Sequence, residues 1–278
     1  MSATASPPLR SPSEGTSSTL LRLGAVSYLN AQPLIHGLDK EPAVRIEQDV
    51  PSRVAERLHA GEIDLGMIPS IEYALGRYAI VPGIAIGSRG PVRSVSLYLS
   101  RPLEEVRRVA LDTSSRTSVA LLKVLLRERL GRDPEYVEMA PALGDMLAVA
   151  DAALLIGDPA LDQHMDILKI DVGEEWTRLT GLPFVYAFWA GPLGVVTPTG
   201  VGRLQAALAA GLGAFSEIAA RHAGGVPERI AVYEEYLRIN VVYRLDDQEI
   251  AGLREFYRRA HVLDLAPVVP ELSFHADH

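Results

Sequence analysis

Short apolar segments alternate with amphipathic segments along the chain from Leu21 onward. LRLGAVSYL and IDLGMIPS have the composition of buried strands, whereas PSRVAERLHAGE has the spacing of a helix that begins near Pro51 and ends near Gly61. A second series follows, in which the strand of VRRVALDTSS leads into the helical pattern of TSVALLKVLLRERLG. Strands and helices in alternation are typical of β-α-β units. The pattern therefore predicts an α/β fold with largely parallel sheets.

Two longer segments interrupt this alternation. Both are rich in strand-forming residues and show little helical pattern, and they read YAIVPGIAIGSRGPVRSVSLYLS and DILKIDVGEEWTRLTGLPFVYAFWAGP. We expect them to carry the chain from one sheet to another and back, with the first crossing near Arg101–Arg107. The result is two α/β domains around a cleft, joined by two crossing β segments. The first domain is discontinuous, with residues 21–100 and a helical C-terminal part in 190–278, and residues 101–189 form the inserted second domain.

The N-terminal residues 1–20 differ from the rest because they are rich in Ser, Thr and Pro. They lack the apolar run of about 7–15 residues that a secretory signal needs, so we expect a disordered leader. No segment approaches the roughly 18 consecutive apolar residues of a membrane span. With no cysteine in the chain, disulfides and thiolate chemistry are excluded. These features predict a cytoplasmic protein that does not bind membranes.

Charge and motifs narrow the function further. Lys and Arg number 27 against 35 Asp and Glu, a net charge of −8, so the chain offers no basic field for nucleic acid. The seven histidines show no metal-binding spacing, and we find no phosphate-binding loop, dinucleotide fingerprint or nucleophile elbow. We therefore predict no metal and no cofactor. The pattern does not define the oligomeric state.

The clearest candidate site is the segment ALDTSSRTS, which lies where a strand ends and a helix begins. Ligands of open α/β sheets bind at the carboxyl ends of the strands. Free N–H groups and the positive end of the helix dipole favour an anion there. One hydroxyl is enough to cap a helix, so the excess favours binding of a carboxylate. The predicted binding residues are Ser115, Arg116, Thr117 and Ser118.

Two polar residues in other loops are further candidates. Asn30 directly follows the first strand, and its amide could hold a carboxylate or hydroxyl, or it could cap the short helix that follows. Ser94 lies in the run GSRGPVRS, where hydroxyls and arginines in the crossing segment either face a ligand or form a solvent-exposed loop.

Gly157 and Asp158 follow a third buried strand. The glycine would let the backbone approach a ligand while the carboxylate accepts a hydroxyl, although a simple Asp-Pro turn is an equal alternative. Aromatic residues alternate along the strand FVYAFWAG, so one face, including Tyr186, could stack on a planar ligand. Core packing is the favoured role for these rings.

Several of these motifs occur in one order between Leu21 and Trp189: SYLNAQPL, GEIDLGMIPSIEY, GPVRSV, ALDTSSRTSVALLKVLL, ALLIGDPAL and EEWTRLTGLPFVYAFWA. Together they resemble the chorismate dehydratases of the futalosine route to menaquinone. The resemblance implies a fold like that of type II periplasmic binding proteins. It also implies a cofactor-free lyase that converts chorismate, a small dianion, to 3-[(1-carboxyvinyl)oxy]benzoate with loss of water.

The resemblance assigns roles to the candidate residues. Asn30 and Ser94 match the catalytic Asn and Ser, with Asn30 orienting the substrate or the leaving hydroxyl and Ser94 binding or polarising the substrate. Ser115, Thr117 and Ser118 would hold a carboxylate, and the substrate's own enolpyruvyl carboxylate would act as the base. Two alternatives remain: a solute-binding protein for a small carboxylate, and the sister dihydroxynaphthoate synthase, expected to use a cleft histidine. The predicted strand-end loops contain no histidine.

Overall fold

The computed structural model describes residues 20–275. The leader predicted over residues 1–20 lies outside this part of the chain, except for Leu20. No helix within residues 20–275 is long and apolar enough to cross a membrane.

Strands and short helices alternate in the N-terminal part of the chain, which contains β1 (Leu21–Val26), β2 (Val44–Asp49), α1 (Pro51–His59), β3 (Leu65–Pro69), β4 (Ala79–Ile80) and β5 (Ile86–Ser88). Two of its connections are 3₁₀ helices, Leu29–Ile35 and Ser70–Leu75. Pro33 lies inside the first of them, where it cannot donate an N–H to a regular helix. The helices predicted after the first and third strands are therefore short and tightly wound.

The middle of the chain has longer helices between its strands. Its elements are β6 (Val95–Leu99), β7 (Arg108–Asp112), α2 (Thr117–Leu130), β8 (Glu135–Met139), α3 (Leu143–Val149), β9 (Ala152–Ile156), α4 (Gly157–Leu161), β10 (Leu168–Asp171) and α5 (Val172–Thr180). A short 3₁₀ turn, Leu103–Glu105, precedes β7.

One long strand is followed by helices in the C-terminal part. These elements are β11 (Phe184–Gly191), α6 (Pro198–Leu212), α7 (Phe215–His222), α8 (Pro227–Glu235), a π-helical turn (Tyr236–Asn240) and α9 (Asp247–Val262).

Among the described residues the strands form two sheets. The first has the order β2-β1-β3-β11-β4, with β5 paired to β11, and the second has the order β10-β6-β9-β7-β8. β1 pairs in parallel with β2 and β3, and β7 pairs in parallel with β8 and β9. In contrast, β11 and β6 run antiparallel to their neighbours. We call residues 20–88 and 184–275 the first lobe and residues 95–180 the second lobe. The α/β prediction is confirmed.

The pairing shifts the predicted domain boundaries. β6 pairs with β9 and β10 in the second sheet, so the chain leaves the first lobe in residues 89–94 and not near Arg101–Arg107. β11 pairs with β3 in the first sheet, so the chain returns in residues 181–183. The boundaries predicted at 100/101 and 189/190 fall one strand too late, because an apolar strand does not reveal which sheet it will join.

An aromatic cluster joins the lobes on the side where the chain returns. Trp176 of α5 packs edge-on against Phe184 of β11 and Phe256 of α9, with ring centroids 5.3 and 6.3 Å apart. Its indole N–H donates to the carbonyl of Pro183 at 3.1 Å. All three rings are buried. The hydrophobic core is therefore continuous between the lobes at this edge.

Candidate functional site

A cavity lies between the lobes, at the ends of β1, β7 and β9. Its space, including the open mouth, is about 500 Å³. Eight of the nine predicted site residues line it, namely Asn30, Ser94, Ser115, Arg116, Thr117, Ser118, Gly157 and Tyr186.

The N-terminus of α2 opens into this cavity. No side chain caps the helix, and the N–H groups of a helix's first turn have no partner within the helix. The hydroxyls of Ser115 and Ser118 make no hydrogen bond to another described residue, whereas the Thr117 hydroxyl accepts from the Ile71 N–H at 3.1 Å. Ser115, Ser118 and the helix N–H groups thus form a set of free donors, as an anion requires.

A buried carboxylate holds the loop before α2 in shape. Asp112 accepts hydrogen bonds from the N–H and hydroxyl of Ser114, at 2.9 and 2.6 Å, and from the Ile156 N–H at 3.2 Å. Tyr28 donates to the Ser114 hydroxyl at 3.0 Å. Burial raises the pKa of Asp112 above its usual range, although the Ser114 hydrogen bonds oppose this, and burial raises the pKa of Tyr28 to about 12. Tyr28 therefore donates at neutral pH.

Arg116 has a different role from the one predicted. Its guanidinium lies 3.1 Å from a Glu72 carboxylate oxygen and 2.8 Å from one of Glu56. Glu72 is almost completely buried and also lies 2.7 Å from the Nε2 atom of His59. The two glutamates belong to the first lobe and Arg116 to the second. Arg116 lines the cavity, but its guanidinium forms ion pairs with Glu72 and Glu56 that join the lobes.

Asp158 is the predicted residue that does not line the cavity. One of its carboxylate oxygens accepts from the Leu29 N–H at 3.0 Å, and the other lies 2.7 Å from the Nε2 atom of His222. Both oxygens thus bind the first lobe, which does not favour the expected role as acceptor of a substrate hydroxyl. His222 lies on α7, and no histidine in residues 20–275 lines the cavity.

Gly157, directly before Asp158, has a φ of +62°. A Cβ atom at this position would overlap the ring of Tyr28. Its lack of a side chain therefore permits a close approach, as predicted, but the partner in this structure is Tyr28.

Asn30 follows β1 of the first lobe, Ser94 lies in the crossing segment directly before β6, and both line the cavity. Ser94 is buried, and its carbonyl accepts from the Gly157 N–H at 2.8 Å. The side-chain oxygen of Asn30 is buried and has no hydrogen-bond partner among the described residues. Leaving a buried acceptor unpaired costs about 1–3 kcal/mol. A ligand hydroxyl or N–H bound in the cavity would satisfy it.

The aromatic strand β11 mainly builds the core. Phe184, Phe188 and Trp189 are completely buried, which confirms the favoured role for these rings. Tyr186 and its neighbour Ala187 reach the cavity, and the Tyr186 hydroxyl lies 3.2 Å from that of Ser88. Burial keeps the pKa of Tyr186 well above its usual value, so the phenol stays neutral.

Tyr236 is the residue near this site that the sequence did not suggest. Its hydroxyl donates to the Ser94 hydroxyl at 2.7 Å from the π-helical turn after α8. Nothing in the helical spacing of RIAVYEEYLRIN distinguishes Tyr236 from a core residue. A π turn, which often occurs at functional sites, is visible only in the structure.

Two α/β lobes around a ligand cavity define the architecture of the periplasmic-binding-protein fold. A protein from Archaeoglobus fulgidus has this arrangement with a TM-score of 0.66 and 17% identity, covering 90% of this chain and 99% of that protein. The alkanesulfonate-binding protein SsuA from Xanthomonas axonopodis pv. citri gives a TM-score of 0.61 and 18% identity, with 90% and 95% covered. At these identities the likeness shows the fold alone.

Within this fold the chain belongs to the menaquinone biosynthesis family, whose profile matches residues 21–262. A chorismate dehydratase of Thermus thermophilus is 32% identical over 255 residues, which cover 84% of this chain and 93% of the relative. A chorismate dehydratase of Campylobacter jejuni is 32% identical over 174 residues, with 59% of this chain and 64% of the relative covered. The family resemblance of the motifs is confirmed.

Proposed function

We propose that this chain is a hydro-lyase that dehydrates chorismate to 3-[(1-carboxyvinyl)oxy]benzoate. The observation that carries the proposal is the cavity itself, which Asn30 and Ser94 line together with the free donors of Ser115, Ser118 and the α2 N-terminus. The two chorismate dehydratases similar to this chain support the choice of reaction. A cytoplasmic location is part of the proposal and rests on the sequence.

Chorismate has two carboxylates, and the free donors suit one of them. The first-turn N–H groups of α2 and the hydroxyls of Ser115 and Ser118 bind a carboxylate at the positive end of the helix dipole. These donors are neutral, so an acidic protein can hold a dianion here without a cationic side chain. Arg116 contributes through its contacts with Glu72 and Glu56, which bring the two lobes together.

The elimination needs a base that removes one carbon-bound proton and a group that stabilises the departing hydroxide. Removal of the proton on the ring carbon that bears the ether oxygen leaves an electron pair, which forms the new ring double bond as the neighbouring C–O bond breaks. The departing hydroxide takes up the proton that the base has removed and leaves as water, and the ring becomes aromatic. Since no Asp, Glu or His lines the cavity within residues 20–275, the substrate's enolpyruvyl carboxylate is the base in this proposal.

Asn30 and Ser94 assist this chemistry as neutral groups. The unpaired oxygen of Asn30 accepts from the substrate hydroxyl, which orients it for departure, and the amide N–H₂ group stabilises the negative charge that develops on the oxygen. The Ser94 hydroxyl donates a hydrogen bond to the substrate. Such groups act because they are fixed in place before the substrate binds.

Three variants test the proposal against the wild type: Asn30→Ala, Ser94→Ala and the control Ser96→Ala. Ser96 is buried on β6 close to Ser94 but does not line the cavity. Loss of one preorganised donor typically lowers kcat by about 10²–10³-fold. We expect a loss of this size for Asn30→Ala and Ser94→Ala, and nearly wild-type turnover for Ser96→Ala.

Binding calorimetry with chorismate separates the alternatives. A wild-type protein that binds chorismate without consuming it is a solute-binding protein. A wild-type protein that neither binds nor converts chorismate has another substrate, as expected for the sister synthase.

A further inference from the structure

The loop that delivers Ser94 to the cavity is held by contacts from both sides. Arg93, the residue before Ser94, has a φ of +62°, a left-handed backbone conformation that residues with a side chain adopt only under strain. The Asp171 carboxylate accepts from the N–H groups of Val92 and Arg93, the latter at 2.6 Å, and so holds the backbone in this strained turn. The backbone of Ser94 is thereby fixed, but its hydroxyl is not.

The π-helical turn of the first lobe binds the same loop from the other side. Its first residue, Tyr236, donates to the Ser94 hydroxyl at 2.7 Å, and its last residue, Asn240, donates to the Pro91 carbonyl at 3.0 Å. Glu235, just before the turn, lies 3.7 Å from the Arg93 guanidinium.

We propose that Tyr236 is a positioning residue that makes Ser94 a hydrogen-bond donor toward the substrate. This inference rests on the proposed function and deepens it. The Tyr236 proton occupies one acceptor site of the Ser94 oxygen, so the rotation of the serine hydroxyl is restricted. The Ser94 hydroxyl donates to no other described residue, and because Ser94 lines the cavity its proton remains available to the substrate.

The surroundings of Tyr236 keep it in the donating form. Tyr236 is buried, and this burial holds its pKa well above the usual value, while the hydrogen bond with Ser94 opposes the shift. The carboxylates of Asp158 and Asp171 raise the pKa further. The phenol therefore stays protonated over the pH range of the reaction and acts by donating a hydrogen bond, without exchanging protons with the substrate.

The test is Tyr236→Phe, with Tyr243→Phe as its matched control. Tyr243 is a buried neighbour whose hydroxyl has no partner among the described residues. Loss of a group that positions an active-site residue costs about 10–100-fold in activity. We expect kcat of Tyr236→Phe to fall by this factor while KM changes less than about threefold. Both variants should keep Tm within about 4 °C of the wild type.

A double variant distinguishes positioning of Ser94 from a general structural effect. If Tyr236 acts through Ser94, the combination of Ser94→Ala and Tyr236→Phe is no slower than Ser94→Ala alone, because residues that act as a unit are not additive. Wild-type kcat in Tyr236→Phe, or a loss that multiplies with that of Ser94→Ala, overturns the inference. A wild-type protein that does not convert chorismate overturns the proposed function instead.

Discussion

Gly157 and Gly131 both have a positive φ but differ in their surroundings. A Cβ atom at Gly157 would overlap the Tyr28 ring, whereas Gly131 after α2 has a φ of +64° and open space around the Cβ position. Gly131→Ala should lose about 1–2 kcal/mol of stability, the cost of the left-handed backbone alone. Gly157→Ala should lose more and should also slow turnover, because Tyr28 must move away from Ser114.

Urea unfolding and kcat of the two glycine variants check this prediction. Equal losses of stability in Gly131→Ala and Gly157→Ala, with unchanged turnover in both, would contradict the tight packing between Gly157 and Tyr28.

Individual loop residues at strand ends were the predictable part of the site. Asn30, Ser115 and Ser118 follow strands whose carboxyl ends meet at the cleft, and they line the cavity as expected. Arg116 and Asp158 were also predicted there, but their charged groups contact Glu72 and His222 of the first lobe. A sequence does not show which distant charge will approach a side chain after the lobes come together, so these pairings could not be predicted.

Whole elements were predictable where the pattern is long, as in α2 and the C-terminal helices, and less so where the chain crosses between the lobes. β6 and β11 were recognised as strands, but each joins the sheet opposite to the one predicted for most of its residues. The π turn that carries Tyr236 gives no signal in sequence, because its residues have the same spacing as a regular helix.

The C-terminal segment around Phe274 and His275, which packs on β4, should make the unfolding free energy depend on pH. Phe274 bridges to Ile80 of β4, and the N–H of the neighbouring His275 donates to the Ile80 carbonyl at 2.9 Å. Burial lowers the pKa of His275 below its ordinary value of 6.5, while a hydrogen bond with the Ala79 backbone opposes the shift. As the pH falls through 6.5, the unfolded chain takes up a proton that the folded chain does not, so stability is lost on acidification.

The expected loss from His275 is at most about 1.4 kcal/mol per pH unit. His275→Leu should remove this part of the decrease in unfolding free energy between pH 7.5 and pH 5.5, whereas the exposed-site control His164→Gln should retain it. Parallel pH dependences of the wild type and His275→Leu, measured by urea unfolding, would show that the imidazole is not buried in a neutral form.

At the scale of the molecule, this structure is a closed form. Contacts such as Tyr28 with Ser114 and Arg116 with Glu72 connect the lobes. The aromatic cluster around Trp176 joins them at the return crossing. We therefore expect chorismate to enter when the lobes separate about that crossing, and the lobes to close again over the bound ligand.

Small-angle scattering tests this motion. The radius of gyration of the ligand-free protein should exceed that calculated from the closed structure, and it should decrease when the aromatic enol ether product is added. A variant with both Ser115→Ala and Ser118→Ala, which lacks two carboxylate donors, should show a much smaller decrease at the same product concentration. Identical scattering of the wild type with and without product would count against closure.

The most direct test of the account is to incubate the purified wild-type protein with chorismate in the presence of a chelator and to follow the products by absorbance and mass spectrometry. We predict that chorismate disappears and that an aromatic product smaller by one water molecule accumulates in equal amount. Chorismate that remains intact, or that yields a product which has not lost water, would contradict it.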